Sequence, residues 1–312
     1  MSEEEIRKYI DNKISHVISA VEYGNYFFEE IKSITDEAKR DCQVYFDKYK
    51  RCGTKSKCQE LIKQINSRLE ELKIEIDQFV ETELPKIIKL ENKWLKDNVE
   101  KPLGITFQKD EKIYSRLIMI PIATAGAAGY FGSLISDRLK NIYQSQALQG
   151  YITGISFSEL EDEYESRLNS FDRGLQADAE TMGSSLGEQY ERIVFTKNKD
   201  LVKKYIWSSI LDTSTCIACG YLDGRIYTDI TEVPIYPLHD RCRCTLIPLP
   251  EDSNEEDFRE TYSKWFERQS EEDKYRILGK KRFQLYEQGM KIKQFVNNGK
   301  ITPLKDLKNQ KD

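Results

Sequence analysis

Five soft metal-binding side chains fall within one short stretch: Cys216 and Cys219 as C-x-x-C, then His239, Cys242 and Cys244 as H-x-x-C-x-C. No other part of the chain restricts the fold as much. A module of about forty residues buries too little apolar surface to stay folded alone, so it needs a covalent or coordinate cross-link. A structural zinc takes about four sulfur or nitrogen ligands at tetrahedral geometry, which leaves one donor surplus here. The preferred set is Cys216, Cys219, Cys242 and either His239 or Cys244. Disulfides formed in an oxidising medium, or unligated thiols beside a structural histidine, stay open as alternatives. Two local expectations bring the halves together. Leu222-Asp223-Gly224-Arg225 has the composition of a tight hairpin turn. An extended run over residues 241–244 would send Cys242 and Cys244 to one face and Arg241 and Arg243 to the other.

The rest of the chain points to helices. Of 312 residues 32% are charged, while Gly 16 and Pro 8 are few, which favours long solvated helices over a turn-rich β protein. In residues 1–103, Leu61, Ile65, Leu69, Leu72, Ile76, Phe79 and Val80 recur at helical steps and must face another helix. Pro85 is expected to restart this pattern before Ile88, Trp94 and Leu95. Cys42, Cys52 and Cys58 have no histidine nearby and match no zinc spacing, so they read as free thiols. Residues 104–200 form a central helical region. Within it, residues 117–135 carry no charge, but Pro121, Gly126, Gly129 and Gly132 favour a close-packed buried helix or helix hairpin over a membrane span. Ser156 or Ser158, with Glu161 three residues after the latter, reads as a capping box, and a further helix is expected over residues 174–193. The run KYIWSSILD from Lys204 reads as a strand that opens the Cys/His module of residues 201–250. Residues 251–312 read as a charged helical tail, with Gly279 and Gly289 bounding the helix KKRFQLYEQ. The fold class is mainly α: elongated helical N-terminal and central regions, a small Cys/His-stapled β-rich module and a helical C-terminal tail.

Charge and motifs exclude several functions. A net charge of −5 rules out a general basic coat for nucleic acid, so any phosphate contact must be local. Residues 251–273 hold ten acidic and three basic side chains; residues 274–312 hold eleven basic and three acidic. In the basic part Tyr275, Phe283, Tyr286 and Phe295 interleave with Arg276, Lys280, Lys281, Arg282, Lys291 and Lys293, a composition suited to phosphate or an acidic protein surface, or simply to a solvated helix. The acidic N-terminus has no apolar core of a secretory signal, so folding in the cytoplasm is expected. The deaminase order of H-x-E before P-C-x-x-C is not met, and His16 and His239 are the only imidazoles. There is no Walker loop. A site with more ligands than places leans closed, and no active site is expected.

The run of Trp207, Asp212, Cys216-Ile-Ala-Cys219, Leu222-Asp223-Gly224, Pro237 and His239-x-x-Cys242-Arg243-Cys244, closing at Pro248, resembles the C-terminal signature of the phage Mu protein F-like, or phage head morphogenesis, minor capsid proteins. Upstream, ALQGYITGISFSELEDEYESRL and Ala179-Glu180-Thr181 are similar to that family's G-x-S helix and following segment; downstream, SKWFERQSEEDKYRILGKKRFQLYEQG is similar to its tail. The resemblance spans roughly residues 100–308. It implies a minor head protein near the portal vertex of the virion, assembled in the host cytoplasm. It implies the portal protein and a scaffolding or major capsid protein as partners, and phage DNA through the basic tail. Membrane association is not expected. The alternative from another class is a zinc-dependent nuclease or hydrolase acting on DNA.

Overall fold

The computed structural model describes residues 3–108, 110–249, 260–297 and 299–307. Residues 251–259 of the acidic run, and Lys308 and Lys311 of the basic one, lie outside the described residues. The chain is mainly α with one small antiparallel sheet and a short β-hairpin. Two compact units divide it. One comprises Met1–Ser19, Asn92–Asp110 and Glu191–Asp312; the other comprises Ala20–Glu91 and Glu111–Tyr190.

The N-terminal pattern resolves into two long helices, α1 (Glu3–Tyr49) and α2 (Lys55–Leu95). Phe27, Ile31, Thr35, Ala38, Cys42 and Phe46 form the buried stripe of α1, at steps of three and four. Leu61, Ile65, Leu69, Leu72, Ile76 and Val80 form that of α2, with half-buried Phe79 edge-on to Phe27 at 4.9 Å. Pro85 does not restart the helix. It sits exposed inside α2, and buried Leu84 and Ile87 continue the stripe on either side, where half-buried Ile88 was expected. Packing of that stripe outweighs the roughly 3 kcal/mol that an interior proline costs. Cys42, Cys52 and Cys58 are free and buried, and burial pushes Cys42 and Cys52 up to about 12, which keeps both protonated.

After a π turn (Lys96–Glu100) and α3 (Lys101–Leu103), left-handed Gly104 ends the helical run. Residues 117–135 are neither a continuous helix nor a helix hairpin. They comprise the end of α4 (Ile113–Leu117), two 3-10 turns (Ala123–Ala125 and Ala128–Tyr130) and the start of α5 (Phe131–Thr153). Pro121 and Gly126 (φ +69°) interrupt the helix, and the Thr124 hydroxyl donates to Asp178 instead (2.8 Å). Only Gly132 shows the close approach expected of the small residues: a Cβ there would lie 2.5 Å from the Lys73 carbonyl of α2. No helix among the described residues is long and apolar enough to cross a membrane.

The capping box is Ser156 with Glu159, two residues earlier than Ser158 with Glu161; the Ser156 N–H donates to Glu159 Oε2 at 2.9 Å. A 3-10 turn (Phe157–Leu160) then leads into α6 (Glu161–Lys197), which runs unbroken through residues 174–193. Its glycines are packing sites. A Cβ on Gly183 would lie 2.9 Å from the Gly24 Cα of α1 and 2.6 Å from the Phe27 Cβ, so the two helices meet backbone to backbone. Gly183→Ala is expected to destabilise the chain by about 1–3 kcal/mol through overpacking, read as a lowered urea midpoint at unchanged helicity.

Candidate metal centre

The sheet that positions the donors has the order β2–β1–β3, all antiparallel: β1 (Lys204–Ser209), β2 (Ile226–Tyr227) and β3 (Cys244–Leu249). β1 begins where the alternating KYIWSS run predicts and is buried from Tyr205 onward, as a central strand should be. Its register against β3 puts Ser209 opposite Cys244 and Trp207 opposite Leu246. This pairing joins the two halves of the cysteine motif. C-x-x-C follows the end of β1, and H-x-x-C-x-C runs into the start of β3.

Residues 222–225 are therefore not a strand-to-strand hairpin. Leu222 ends α7 (Ile217–Leu222), and left-handed Gly224 (φ +80°) turns the chain into β2. Asp223 instead acts as an acceptor for two other elements. Its Oδ1 takes the Ser209 N–H (2.7 Å) and its Oδ2 takes the Tyr262 N–H (2.8 Å). Residues 241–244 are not fully extended either, because Arg241 is left-handed (φ +57°). The expected alternation survives that turn. Cys242 and Cys244 are buried, while Arg243 grips Asp212 through two bonds of 2.6 Å.

All five predicted donors converge. Cys216, Cys219 and His239 form one group with ligand atoms within 4.8 Å of one another; Cys219, Cys242 and Cys244 form a second. Cys219 belongs to both. Cys216 caps α7, its Sγ accepting the Cys219 N–H at 3.4 Å. His239 Nε2 lies 3.2 Å from Cys216 Sγ and 3.1 Å from Cys219 Sγ, and Cys219 Sγ lies 3.8 Å from Cys242 Sγ. The sulfur pair is far beyond the ~2.05 Å of a disulfide, and all four cysteines are free. Bonds of about 2.3 Å at tetrahedral angles put two sulfurs about 3.8 Å apart, the separation observed; the nitrogen–sulfur pairs are tighter than the ~3.5 Å of that geometry. His239 Nδ1 meets the Asp240 carbonyl at 2.7 Å, which fixes the ring and turns Nε2 toward the thiols.

Proton sharing organises the cluster. Hydrogen bonding with the Cys219 thiol lowers Cys216 to about 4 and also holds Cys242 well below the ordinary thiol value. Cys219 is raised because Cys216 and its neighbours share its single proton, and burial raises Cys244. The hydrogen bond to Cys216 holds His239 up at about 9. Four thiols in two groups that share Cys219 cannot all ionise, and a divalent cation is the species that replaces their protons. The cluster fits a bound metal.

Surrounding contacts hold the frame. Trp207 is fully buried and edge-on to Tyr236 (5.7 Å). Arg192 of α6 donates to the carbonyls of Pro234 (3.1 Å) and Val233 (2.9 Å), tethering the loop that leads to His239. The helical tail, α8 (Tyr262–Glu267) and α9 (Glu271–Glu287), packs on the module. With a 3-10 turn (Ile292–Phe295), β4 (Val296–Asn297), β5 (Lys300–Ile301) and α10 (Leu304–Leu307), it contributes Tyr262, Phe266, Leu278, Phe295 and Leu307 to one core with Ile217 of α7. Gly279 (φ +69°) breaks α9 where the helix boundary is expected, and Gly289 follows its end.

Of the aromatics expected among the basic residues, only Tyr275 is exposed; Phe295 is buried, and Phe283 and Tyr286 are half-buried. Lys280, Lys281, Lys291 and Lys293 are exposed. Arg276 pairs with Asp273, and Arg282 donates to the Thr302 carbonyl at 3.0 Å. His16 is stacked on Trp94 (4.4 Å) and belongs to neither cysteine group. Sequence reasoning missed the bridging role of Asp223, although its Asp-Gly signal marked the position. It had no signal at all for Ser209, Arg192 or Tyr262. No protein-family model, curated protein or solved structure matches this chain.

Two outcomes test this frame. A Cβ on Gly220 would lie 2.1 Å from the Tyr262 ring, so Gly220→Ala should cost about 1–3 kcal/mol in urea unfolding. Burial raises Asp212, but the bonds from Arg243 outweigh it and leave the carboxyl below its usual range. A depressed folded value means that this stabilisation is complete above the unfolded carboxyl pKa of about 3.9 and is lost as pH falls through the folded value. The stability gap between the wild type and Asp212→Asn should be full at neutral pH and close below about pH 4 in matched denaturation series.

Proposed function

We propose that this protein is a minor structural component of a phage head, bound near the portal vertex and acting in head assembly, DNA packaging or DNA delivery. The reading rests on the motif resemblance from Trp207 to Pro248. What carries it is the convergence of that motif's cysteines and histidine on Cys219, beside the Asp212–Arg243 pair. In this reading the metal is zinc and its role is structural. Cys216, Cys219, Cys242 and His239 hold it. Cys244 is the surplus donor, because the Ser209 hydroxyl gives its one proton to the Cys219 carbonyl (3.1 Å) and takes that of the Cys244 thiol (3.3 Å). A closed set of ligands leaves no position for a reacting water, so the protein is not an enzyme. The portal protein and a scaffolding or major capsid protein are its partners. The exposed lysines of residues 280–293 are the surface for phage DNA.

Chain purified under reducing conditions should contain about one zinc by elemental analysis. Cys216→Ser should lower both metal content and melting temperature, whereas Cys244→Ser should keep the metal. Cross-linking mass spectrometry of procapsids should join this chain to portal protein. Metal-dependent DNA cleavage that disappears in a folded His239→Ala variant would instead establish a nuclease.

A further inference from the structure

A cleft at the C-terminal end of α1 has the makings of a second binding site, and it lies wholly within the compact unit that does not hold the Cys216–Cys244 cluster. Its volume is about 710 Å³, within the usual size of a small-ligand site. The floor is aromatic. Phe46, Phe157 and Tyr164 are buried, with Phe46 edge-on to Phe157 at 4.6 Å and tilted against Tyr164 at 6.2 Å. Gln146 also lines the cleft at only 5% exposure, and its Oε1 has no hydrogen-bond partner among the described residues. A buried carboxamide oxygen without a donor is an uncompensated acceptor, and a ligand N–H placed there recovers what folding left unmade.

The charges around the cleft select the ligand's sign. Asp47, Glu161 and Glu165 are exposed on its lining, against one ammonium group, Lys50. α1 ends here, with Lys50 left-handed (φ +54°) and its carbonyl accepting the Phe157 N–H (2.9 Å), so the negative pole of a long helix faces the same region. On the opposite side, the capping box of Ser156 and Glu159 already occupies donors at the helix start that would otherwise attract an anion. Aromatic faces, an unpaired carbonyl-type acceptor and a carboxylate rim together suit a cation with N–H donors and an apolar body.

We infer that this cleft binds a small primary ammonium ion with an alkyl or aryl body, its N–H donating to Gln146 Oε1 and its charge lying against the Phe46, Phe157 and Tyr164 rings. The inference is independent of the phage-head reading and stands or falls without it.

The test is calorimetric titration of the full chain with phenethylammonium chloride, beside 2-phenylethanol as its neutral analogue. Saturable one-site binding of the ammonium is expected, with the alcohol about tenfold weaker or more. Gln146→Met, close in volume, should weaken ammonium binding by about tenfold. The double variant Glu161→Gln and Glu165→Gln changes only exposed rim residues. It should weaken binding a few-fold and flatten its salt dependence. Equal binding of ammonium and alcohol, no ammonium binding at millimolar concentration, or unchanged affinity in the rim variant would overturn the assignment. Unchanged affinity in a folded Gln146→Met variant would overturn it as well.

Discussion

The thiol of Cys219 is the point on which the C-terminal half depends. It is the one donor common to both groups, within reach of His239 on one side and Cys242 on the other. A buried cluster of four thiols is a poor place for negative charge, because each ionised sulfur raises the cost of ionising the next. The protein meets this by dividing protons. Cys216 and Cys242 are the acidic members, and Cys219 and Cys244 keep their hydrogens. A divalent cation would replace that arrangement with a stronger one and tie β3 to α7.

Two carboxylates distribute the constraint outward. Asp223 accepts from Ser209 at the end of β1 and from Tyr262 at the start of α8, so one side chain fixes a strand, a turn and a helix start. Asp212 clamps Arg243 between the two C-terminal cysteines and also accepts the Ser214 N–H at 2.9 Å. The Tyr262 hydroxyl donates to the Thr215 carbonyl (2.9 Å), beside the Gly220 contact with its ring. These bonds explain how a sheet of three short strands is held. Its support comes from the thiol cluster on one side and, through Ile217, from the apolar core of α8, α9 and the β4–β5 hairpin on the other.

Much of this was legible from residue order. The buried stripe of α2 repeats the predicted leucines and isoleucines almost position for position, because a helix cannot hide apolar side chains spaced at three and four on any other surface. The strand at Lys204 and the five donors were legible for similar reasons, since alternation and ligand chemistry are both local. Breaks in helices were not. Pro85 suggested an end where none exists, whereas residues 117–135 suggested a buried helix or helix hairpin where Pro121 and Gly126 make several short turns. The same residue type gives opposite outcomes because neighbouring elements decide whether a lost hydrogen bond is outweighed by packing.

What residue order determined by itself was composition-limited and local: a mainly helical chain, one β-rich module that needs a cross-link, and the identity of the atoms able to form it. Tertiary structure alone decided how those atoms meet. The Asp-Gly turn was a reasonable hairpin on local grounds, yet β1 and β3 bring the cysteines together, with Ser209 opposite Cys244. Strand pairing is a contact between residues far apart in the chain, and no short motif encodes its register. The cleft around Gln146 was invisible for the same reason, because an unpaired acceptor is recognisable only once every neighbour has been placed.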